Sequence, residues 1–189
     1  MNVKDMALKN KRDFASRIIK EPFLTLFYDC LVEHFPKAQF LFLVRDPVEN
    51  IRSILNRAGY KGRYDPEARL NLSLEWRSIL SGAYISPCCK DVLECLALRW
   101  NIMSSIYLDN QENIRLCRYE DFVQDKIKSL QDLCLDLGLP IMHELEHKLE
   151  LQYQKKGETG AGRQSFFSPE ETHRIESICK ANMQSLGYC

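Results

Sequence analysis

The segment Phe40-Leu-Phe-Leu-Val-Arg-Asp-Pro-Val-Glu-Asn-Ile-Arg-Ser53 decides the fold class of this chain. Its first five residues form a short, unbroken apolar run, which is typical of a strand that is buried on both faces of a parallel sheet. Asp46 is suited to capping a helix, Pro47 suits the first helical position, and Glu49 completes a start that resembles a capping box. The segment therefore predicts a strand at 40–44, a tight turn, and a helix at about 47–57.

Arg45 stands between the predicted strand and the predicted helix, with no evident structural task. Open α/β sheets bind their ligands at the carboxyl ends of the strands, which is where this residue lies. A guanidinium in that place offers a planar fork that suits a phosphate group. The residues alone leave an alternative, in which Arg45 pairs with Asp46 or Glu49 to hold the turn and Ser53 is an ordinary solvated residue of the helix.

The flanking segments alternate between helical and strand patterns. The spacing of apolar residues predicts further helices at about 22–34, 90–109, 122–137, 141–151 and 169–186. A second candidate strand lies at 114–117. Strands that alternate with helices indicate an α/β layered domain. Because no linker is long enough to divide the chain, residues 1–189 are expected to form one domain, of which residues 1–17 are poorly structured.

The composition narrows the class of partner. The 26 basic residues balance 26 acidic ones, so no overall charge favours nucleic acid, and any anion site must be a local cluster. No apolar run approaches the roughly 18 residues that a membrane span needs. We therefore expect a soluble chain, cytoplasmic by default, with the Golgi lumen as the alternative if an N-terminal anchor is missing.

The eight cysteines are an even number, but no two of them form a Cys-x-x-Cys pair. Most of them fall within predicted helices and strands, which favours reduced and mostly buried thiols. The alternative is an oxidising compartment in which one or two disulfides form.

Arg45 and Ser53 give the opening segment a resemblance to a known motif. An apolar strand followed by Arg-Asp-Pro and, eight residues after the arginine, a serine resembles the 3′-phosphate-binding motif of sulfotransferases that use 3′-phosphoadenosine 5′-phosphosulfate (PAPS). Arg118-Tyr119-Glu120-Asp121 resembles the Tyr-Glu-Asp sequence of that family, whose tyrosine lies near the adenine. The alternative for Tyr119 is a half-buried aromatic that caps the sheet. The segment 135–140 resembles a helix end of the same family and supports the fold alone.

The segment Lys155-Lys156-Gly157-Glu-Thr-Gly160-Ala-Gly162-Arg163-Gln-Ser-Phe166 is similar to a late loop of the family, basic-Lys-Gly-x-x-Gly-Asp-Trp-Lys-x-x-Phe. The resemblance implies that Lys155, Lys156 and Gly157 lie beside the 3′-phosphate. Glycine lets backbone amides approach an anion closely, and the lysines add charge. Ala161 and Gly162 stand where the family has Asp-Trp. The alternative is a flexible basic surface loop.

The segment Ile18-Ile19-Lys20-Glu21-Pro22 is similar to a family landmark in which a strand ends in a lysine shortly before a proline. The resemblance implies that Lys20 stabilises the sulfonyl group during transfer. Glu21 is the candidate base by its position, since a carboxylate beside a cationic site stays ionised. The alternative for both residues is a solvated ion pair.

The family's glycine-rich loop, which holds the 5′-phosphosulfate, has no counterpart in the sequence. No glycine precedes Gly59, and neither Gly-x-x-x-x-Gly-Lys-Ser/Thr nor Pro-Lys-x-Gly-Thr-Thr occurs. We therefore expect a domain that is truncated at its N-terminus relative to the family.

The resemblance implies an α/β, three-layer domain of the P-loop nucleotide-binding type, with a short parallel sheet and a helical C-terminal half. It implies transfer of a sulfonyl group from PAPS, without a metal, to a hydroxyl or amine of an unknown small-molecule, carbohydrate or protein acceptor. One alternative is a non-catalytic nucleotide-binding or interaction protein derived from a sulfotransferase.

A second alternative is a zinc hydrolase, because His143-Glu144-Leu-Glu-His147 fits the pattern His-Glu-x-x-His. A catalytic zinc needs a third protein ligand and a sheltered cleft. The charged neighbours Lys148 and Glu150 instead indicate an exposed helix.

Overall fold

The computed structural model describes residues 11–68, 70–82, 89–141, 146–149 and 166–188. Its strands are β1 (Phe40–Val44) and β2 (Ile114–Arg118). Its α-helices are, in chain order, α1 (Lys11–Phe14), α2 (Tyr28–His34), α3 (Pro47–Ala58), α4 (Leu74–Leu80), α5 (Val92–Asp109), α6 (Tyr119–Gln124), α7 (Lys126–Asp136) and α8 (Pro169–Ser185). Pro22–Phe27 and Glu146–Lys148 are 3-10 helices.

The strands β1 and β2 pair in parallel, with Phe40 opposite Ile114 and Val44 opposite Arg118. Within the described residues they form a two-stranded sheet. The connection between them runs through helices, as a parallel crossover requires. The predicted α/β class, both predicted strands and the helical C-terminal half are confirmed. Because the two strands end at the same level, the residues that follow them start from one edge of the sheet.

The prediction that β1 is buried on both faces is wrong. Leu41 and Leu43 are 42% and 52% exposed, whereas Val44 is 2% exposed. On the covered face, Phe42 stacks on Tyr107 of α5 with 5.4 Å between the ring centres. Side chains alternate between the two faces of a strand. In the described part of the chain, helices cover the Phe42 face of β1 and leave the Leu41 face open to solvent.

The covered face of the sheet and helices α3, α5 and α8 share one core. Val48, Ile51 and Leu55 of α3 recur at helical spacing and are 0% exposed. Helix α8 is joined to α5 by Asn182, whose Nδ2 donates to the Asn101 carbonyl oxygen over 2.8 Å. This packing fixes the position of α3 relative to the sheet.

Helix α3 begins and ends close to the predicted residues. Asp46 Oδ1 accepts a hydrogen bond from the Glu49 N–H at 3.0 Å, and Gly59, at φ +112°, ends the helix in the left-handed conformation that suits glycine. The capping box is incomplete, because the Asp46 N–H donates to Glu120 instead of Glu49. The Glu49 side chain is therefore available to the residues on the outer side of α3.

An ionic contact ties α8 to the start of α5. Arg174 of α8 forms hydrogen-bonded ion pairs with Asp91 and Glu94. Burial alone would raise the pKa of Asp91, but the Glu94 N–H and Arg174 outweigh it and hold that pKa below its ordinary value. The Asp91 carboxylate is therefore ionised at neutral pH and keeps the two helices paired.

Two other predicted helices are confirmed with small changes at their ends. The helix predicted at 90–109 is α5, and the helix predicted at 169–186 is α8, which begins with a capping box between Ser168 and Glu171. The helix predicted at 22–34 starts as the 3-10 helix Pro22–Phe27 before α2. No helix in the described residues has the length and apolarity that crossing a bilayer requires.

Four expectations on secondary structure differ from the structure. The helix predicted at 122–137 is divided into α6 and α7, because Asp125 interrupts it and caps α7 by accepting a hydrogen bond from the Lys128 N–H at 3.0 Å. Helix α4 lies in a stretch for which no helix was predicted. The described part of the helix predicted at 141–151 is the 3-10 helix Glu146–Lys148. At the N-terminus, α1 is a short helix within the segment predicted to be poorly structured.

The prediction of reduced thiols is wrong for one pair of cysteines, because Cys89 and Cys95 form a disulfide. The thiols of Cys30, Cys117, Cys134 and Cys179 are free. Burial raises the pKa of Cys179 to about 12, so this thiol is protonated and unreactive at neutral pH.

Candidate functional site

Arg45 and Tyr119 meet at the carboxyl edge of the sheet. They directly follow Val44 and Arg118, which are paired across the two strands. The guanidinium carbon of Arg45 lies 4.6 Å from the centre of the Tyr119 ring, a distance typical of a cation–π contact. The structure therefore brings together two predicted site residues, one from the end of each strand.

A single carboxylate oxygen of Glu49 binds two guanidinium groups. Glu49 Oε2 lies 3.1 Å from Arg45 Nη2 and 2.6 Å from Arg52 Nη2. The pairing of Arg45 with Glu49, which the sequence left open, is thus present. These three side chains carry two positive charges and one negative charge, and each is between 21% and 27% exposed. An anion from solvent can therefore reach a group with an excess of positive charge.

Ser53 lies one helical turn beyond Glu49 on α3 and is partly buried. Residues four apart on a helix lie on the same side of it. Ser53 therefore extends, along α3, the row that begins with Arg45 and Glu49.

The sequence reasoning named Glu49 only as an alternative partner that holds the turn, and it missed Arg52. Both lie between Arg45 and Ser53 in the segment that was recognised. The signal was available, because the contacts of Glu49 are at helical spacing, four residues after Arg45 and three before Arg52.

Two hydrogen bonds fix the backbone that carries Arg45. The Trp100 Nε1–H donates to the Arg45 carbonyl oxygen over 2.9 Å, and the Asp46 N–H donates to Glu120 Oε1 over 3.0 Å. The other oxygen of Glu120 accepts a hydrogen bond from the Tyr188 hydroxyl at 2.8 Å. Contacts from α5, from α6 and from the segment after α8 therefore hold one short turn in place. Sequence reasoning missed Trp100, Glu120 and Tyr188 in this role.

The segment after α8 docks on Arg118. The guanidinium carbon of Arg118 lies 4.5 Å from the centre of the Tyr188 ring, and its Nη2 donates to the Gly187 carbonyl oxygen over 3.0 Å. Gly187 has φ +74°, and a Cβ there would lie 3.1 Å from Arg118 Nη1, so both the backbone and the space favour glycine. Burial and the hydrogen bond to Glu120 raise the pKa of Tyr188 against the lowering effect of Arg118. The Tyr188 hydroxyl therefore keeps the proton that it donates to Glu120.

Lys20 and Glu21 lie in an exposed segment before the first 3-10 helix. Ile18 and Ile19 are 68% and 41% exposed, and no strand is present at 18–20, so the expected strand ending in Lys20 is wrong. Glu21 Oε1 accepts a hydrogen bond from the Phe23 N–H at 3.1 Å and caps Pro22–Phe27. Glu21 thus has a capping role that the sequence reading did not assign.

Several predicted site residues lie outside the described residues. They are Lys155, Lys156 and Gly157 of the predicted phosphate loop and His143 and Glu144 of the zinc pattern. The backbone of His147 belongs to the 3-10 helix Glu146–Lys148. Over the described ranges, no group of three His, Cys, Asp or Glu side chains is arranged to hold a metal ion.

Two comparisons relate this chain to known proteins. The sequence model described as "Sulfotransferase family" matches residues 3–144. The crystal structure of a sulfotransferase from Alicyclobacillus acidocaldarius is similar to this chain, with a TM-score of 0.51 and 16% sequence identity. The match covers 85% of this chain and 59% of that chain. No curated protein matches the chain. At this identity the structural likeness shows a shared fold.

Proposed function

The chain belongs to the sulfotransferase family, and on this premise we propose that it binds PAPS and transfers the sulfonyl group to a hydroxyl or amine of an acceptor. The observation that carries the proposal is the Arg45 guanidinium, stacked on Tyr119 at the carboxyl edge of the sheet. Open α/β sheets bind nucleotides at this edge. A guanidinium is the side chain best suited to grip phosphate oxygens in pairs.

In the proposed complex, Arg45 and Ser53 hold the 3′-phosphate of the nucleotide. The guanidinium donates paired hydrogen bonds and the hydroxyl adds one more. Tyr119 lies near the adenine, on which an aromatic ring can stack. Lys155, Lys156 and Gly157 are proposed to close on the same phosphate. The acceptor is a small molecule, a carbohydrate or a protein.

The proposed reaction is an in-line displacement at sulfur. The acceptor oxygen or nitrogen bonds to sulfur while the bond from sulfur to the bridging oxygen breaks, and adenosine 3′,5′-bisphosphate (PAP) leaves with the electron pair. Lys20 is proposed to stabilise the sulfonyl oxygens, and Glu21 to take the proton of the acceptor. The cap that Glu21 forms uses Oε1, so its other carboxylate oxygen can accept that proton.

Titration calorimetry with PAP and with adenosine 5′-monophosphate tests the nucleotide assignment. We expect PAP to bind at least about tenfold more tightly, because the 3′-phosphate adds charge-assisted hydrogen bonds. Equal affinity for the two nucleotides, or no binding of PAP, contradicts the proposal. Release of PAP from PAPS in the presence of hydroxyl and amine acceptors then tests transfer. Tight binding of PAP without turnover over a broad acceptor panel would favour the non-catalytic alternative.

We expect Glu49→Gln to strengthen PAP binding by about threefold to tenfold. The carboxylate of Glu49 is bound to Arg45 and Arg52, so it competes with a phosphate for both guanidinium groups and repels it. Glutamine keeps the size and an acceptor oxygen but removes the negative charge. Calorimetry at two salt concentrations measures the effect, which should shrink at high salt. If Glu49 mainly orients Arg45, the same variant will bind PAP more weakly than the wild type.

A further inference from the structure

Arg99 of α5 is a buried cation with an unsatisfied hydrogen-bond donor. The residue is 8% exposed, and its Nε–H has no hydrogen-bond acceptor among the described residues. Leu96 and Met103, one turn before and one turn after it on α5, are 1% and 8% exposed. The guanidinium carbon of Arg99 lies 4.6 Å from the centre of the Phe23 ring, a distance typical of a cation–π contact. The Arg99 guanidinium is therefore shielded from solvent and packed on an aromatic ring.

Such an arrangement is costly to the free protein. An arginine stays protonated in proteins, and a buried charge without a hydrogen-bonded counter-ion is destabilising. Burial lowers the pKa of Arg99, and the nearby negative charge of Glu21 opposes this by raising it. Glu21 and Arg99 do not form an ion pair in the described residues. Arg174, by contrast, binds two carboxylates. Because the Arg99 Nε–H finds no acceptor among the described residues, this donor is available to a ligand.

The position of Arg99 relates it to the site at the sheet edge. Its neighbour Trp100 donates a hydrogen bond to the Arg45 carbonyl oxygen at 2.9 Å. On the other side, Phe23 belongs to the 3-10 helix that Glu21 caps and that follows Lys20. Arg99 thus lies between the turn that carries Arg45 and the segment that carries Lys20 and Glu21.

We propose that Arg99 binds a tetrahedral oxyanion, the 5′-phosphate end of the nucleotide, while Arg45 binds the 3′-phosphate. This assignment rests on the proposed function. During transfer the electron pair of the breaking bond between sulfur and oxygen passes to the 5′-phosphate, so negative charge grows there. A fixed guanidinium that is shielded from solvent stabilises that charge more strongly than water does.

Titrations of wild type and Arg99→Met with PAP and with adenosine 3′-monophosphate test the assignment. The two nucleotides differ only in the 5′-phosphate. We expect Arg99→Met to weaken PAP binding by about 30-fold and to leave the affinity for adenosine 3′-monophosphate within about twofold. Arg99→Lys, which keeps the charge and loses the fork, should lie between wild type and Arg99→Met.

Thermal unfolding of the unliganded proteins separates binding from folding. Methionine removes a buried charge whose Nε–H lacks an acceptor among the described residues, so the Tm of Arg99→Met should equal or exceed that of the wild type. Equal losses for both nucleotides, or an unchanged affinity for PAP, would overturn the role of Arg99 while leaving the proposed function intact. Failure of the wild type to bind either nucleotide would overturn the proposed function and this assignment together.

Discussion

Arg45→Ala should weaken the binding of PAP by about 100-fold and leave the affinity for adenosine 5′-monophosphate within about twofold. Two hydrogen bonds from a guanidinium to a phosphate contribute about 3 kcal/mol together, and about 1.4 kcal/mol corresponds to a factor of ten. The loss is confined to the 3′-phosphate because only PAP carries that group. Calorimetry on the same protein preparation measures both affinities.

Two control variants make the Arg45 result specific. Arg45→Lys keeps a positive charge but loses the paired geometry, and we expect it to recover about tenfold of the lost affinity. Arg57→Ala removes an arginine from the exposed last turn of α3, and it should leave PAP binding within about twofold. If Arg57→Ala weakens PAP binding as much as Arg45→Ala does, the affinity depends on the net positive charge of the protein. The assignment of Arg45 to the 3′-phosphate is then wrong.

The strand, the turn and α3 were predictable because their signals are local. Asp46 and Glu49 are three residues apart, and the hydrogen bond between them is the one that the cap pattern implies. The exposure of Leu41 and Leu43 was not predictable in the same way. An apolar run indicates that a strand can be buried. Whether each face is in fact covered depends on elements from distant parts of the chain.

The hydrogen bonds that hold the turn of Arg45 in place could not be predicted from the sequence either, because they also join distant parts of the chain. The contacts of Trp100 with Arg45, of Glu120 with Asp46 and of Tyr188 with Glu120 join residues that are 55, 74 and 68 positions apart. The periodicity of apolar residues predicts local helices and strands, and it does not predict hydrogen bonds between residues so far apart in the sequence. The division of 122–137 is a different case, since Asp125 is a good helix cap and its signal was present but overlooked.

Glu120→Ala should lower the free energy of unfolding by about 2–3 kcal/mol. The Glu120 carboxylate accepts hydrogen bonds from the Asp46 N–H and the Tyr188 hydroxyl, and both donors are partly buried. Each donor left without an acceptor costs about 1–3 kcal/mol, at the lower end where water can enter. Urea denaturation measures the difference in the free energy of unfolding.

Asp121→Ala is the matched control, because the Asp121 side chain is 66% exposed and its contact with Arg118 is long, at 3.9 Å. We expect it to change stability by less than about 0.5 kcal/mol.

A double-mutant cycle with Tyr188→Phe tests whether Glu120 acts through the tyrosine. The hydroxyl of Tyr188 donates a hydrogen bond to the carboxylate of Glu120, so the stability effects of the two substitutions should couple by about 1 kcal/mol.

The loss of stability at alkaline pH gives an independent check. Because burial and Glu120 raise the pKa of Tyr188, the folded state favours the protonated hydroxyl, and this contribution is lost as the pH rises above the ordinary tyrosine value of about 10. Tyr188→Phe should therefore show a flatter loss of stability above that pH. If the two variants are additive and their alkaline curves match the wild type, Tyr188 does not support the turn that carries Arg45.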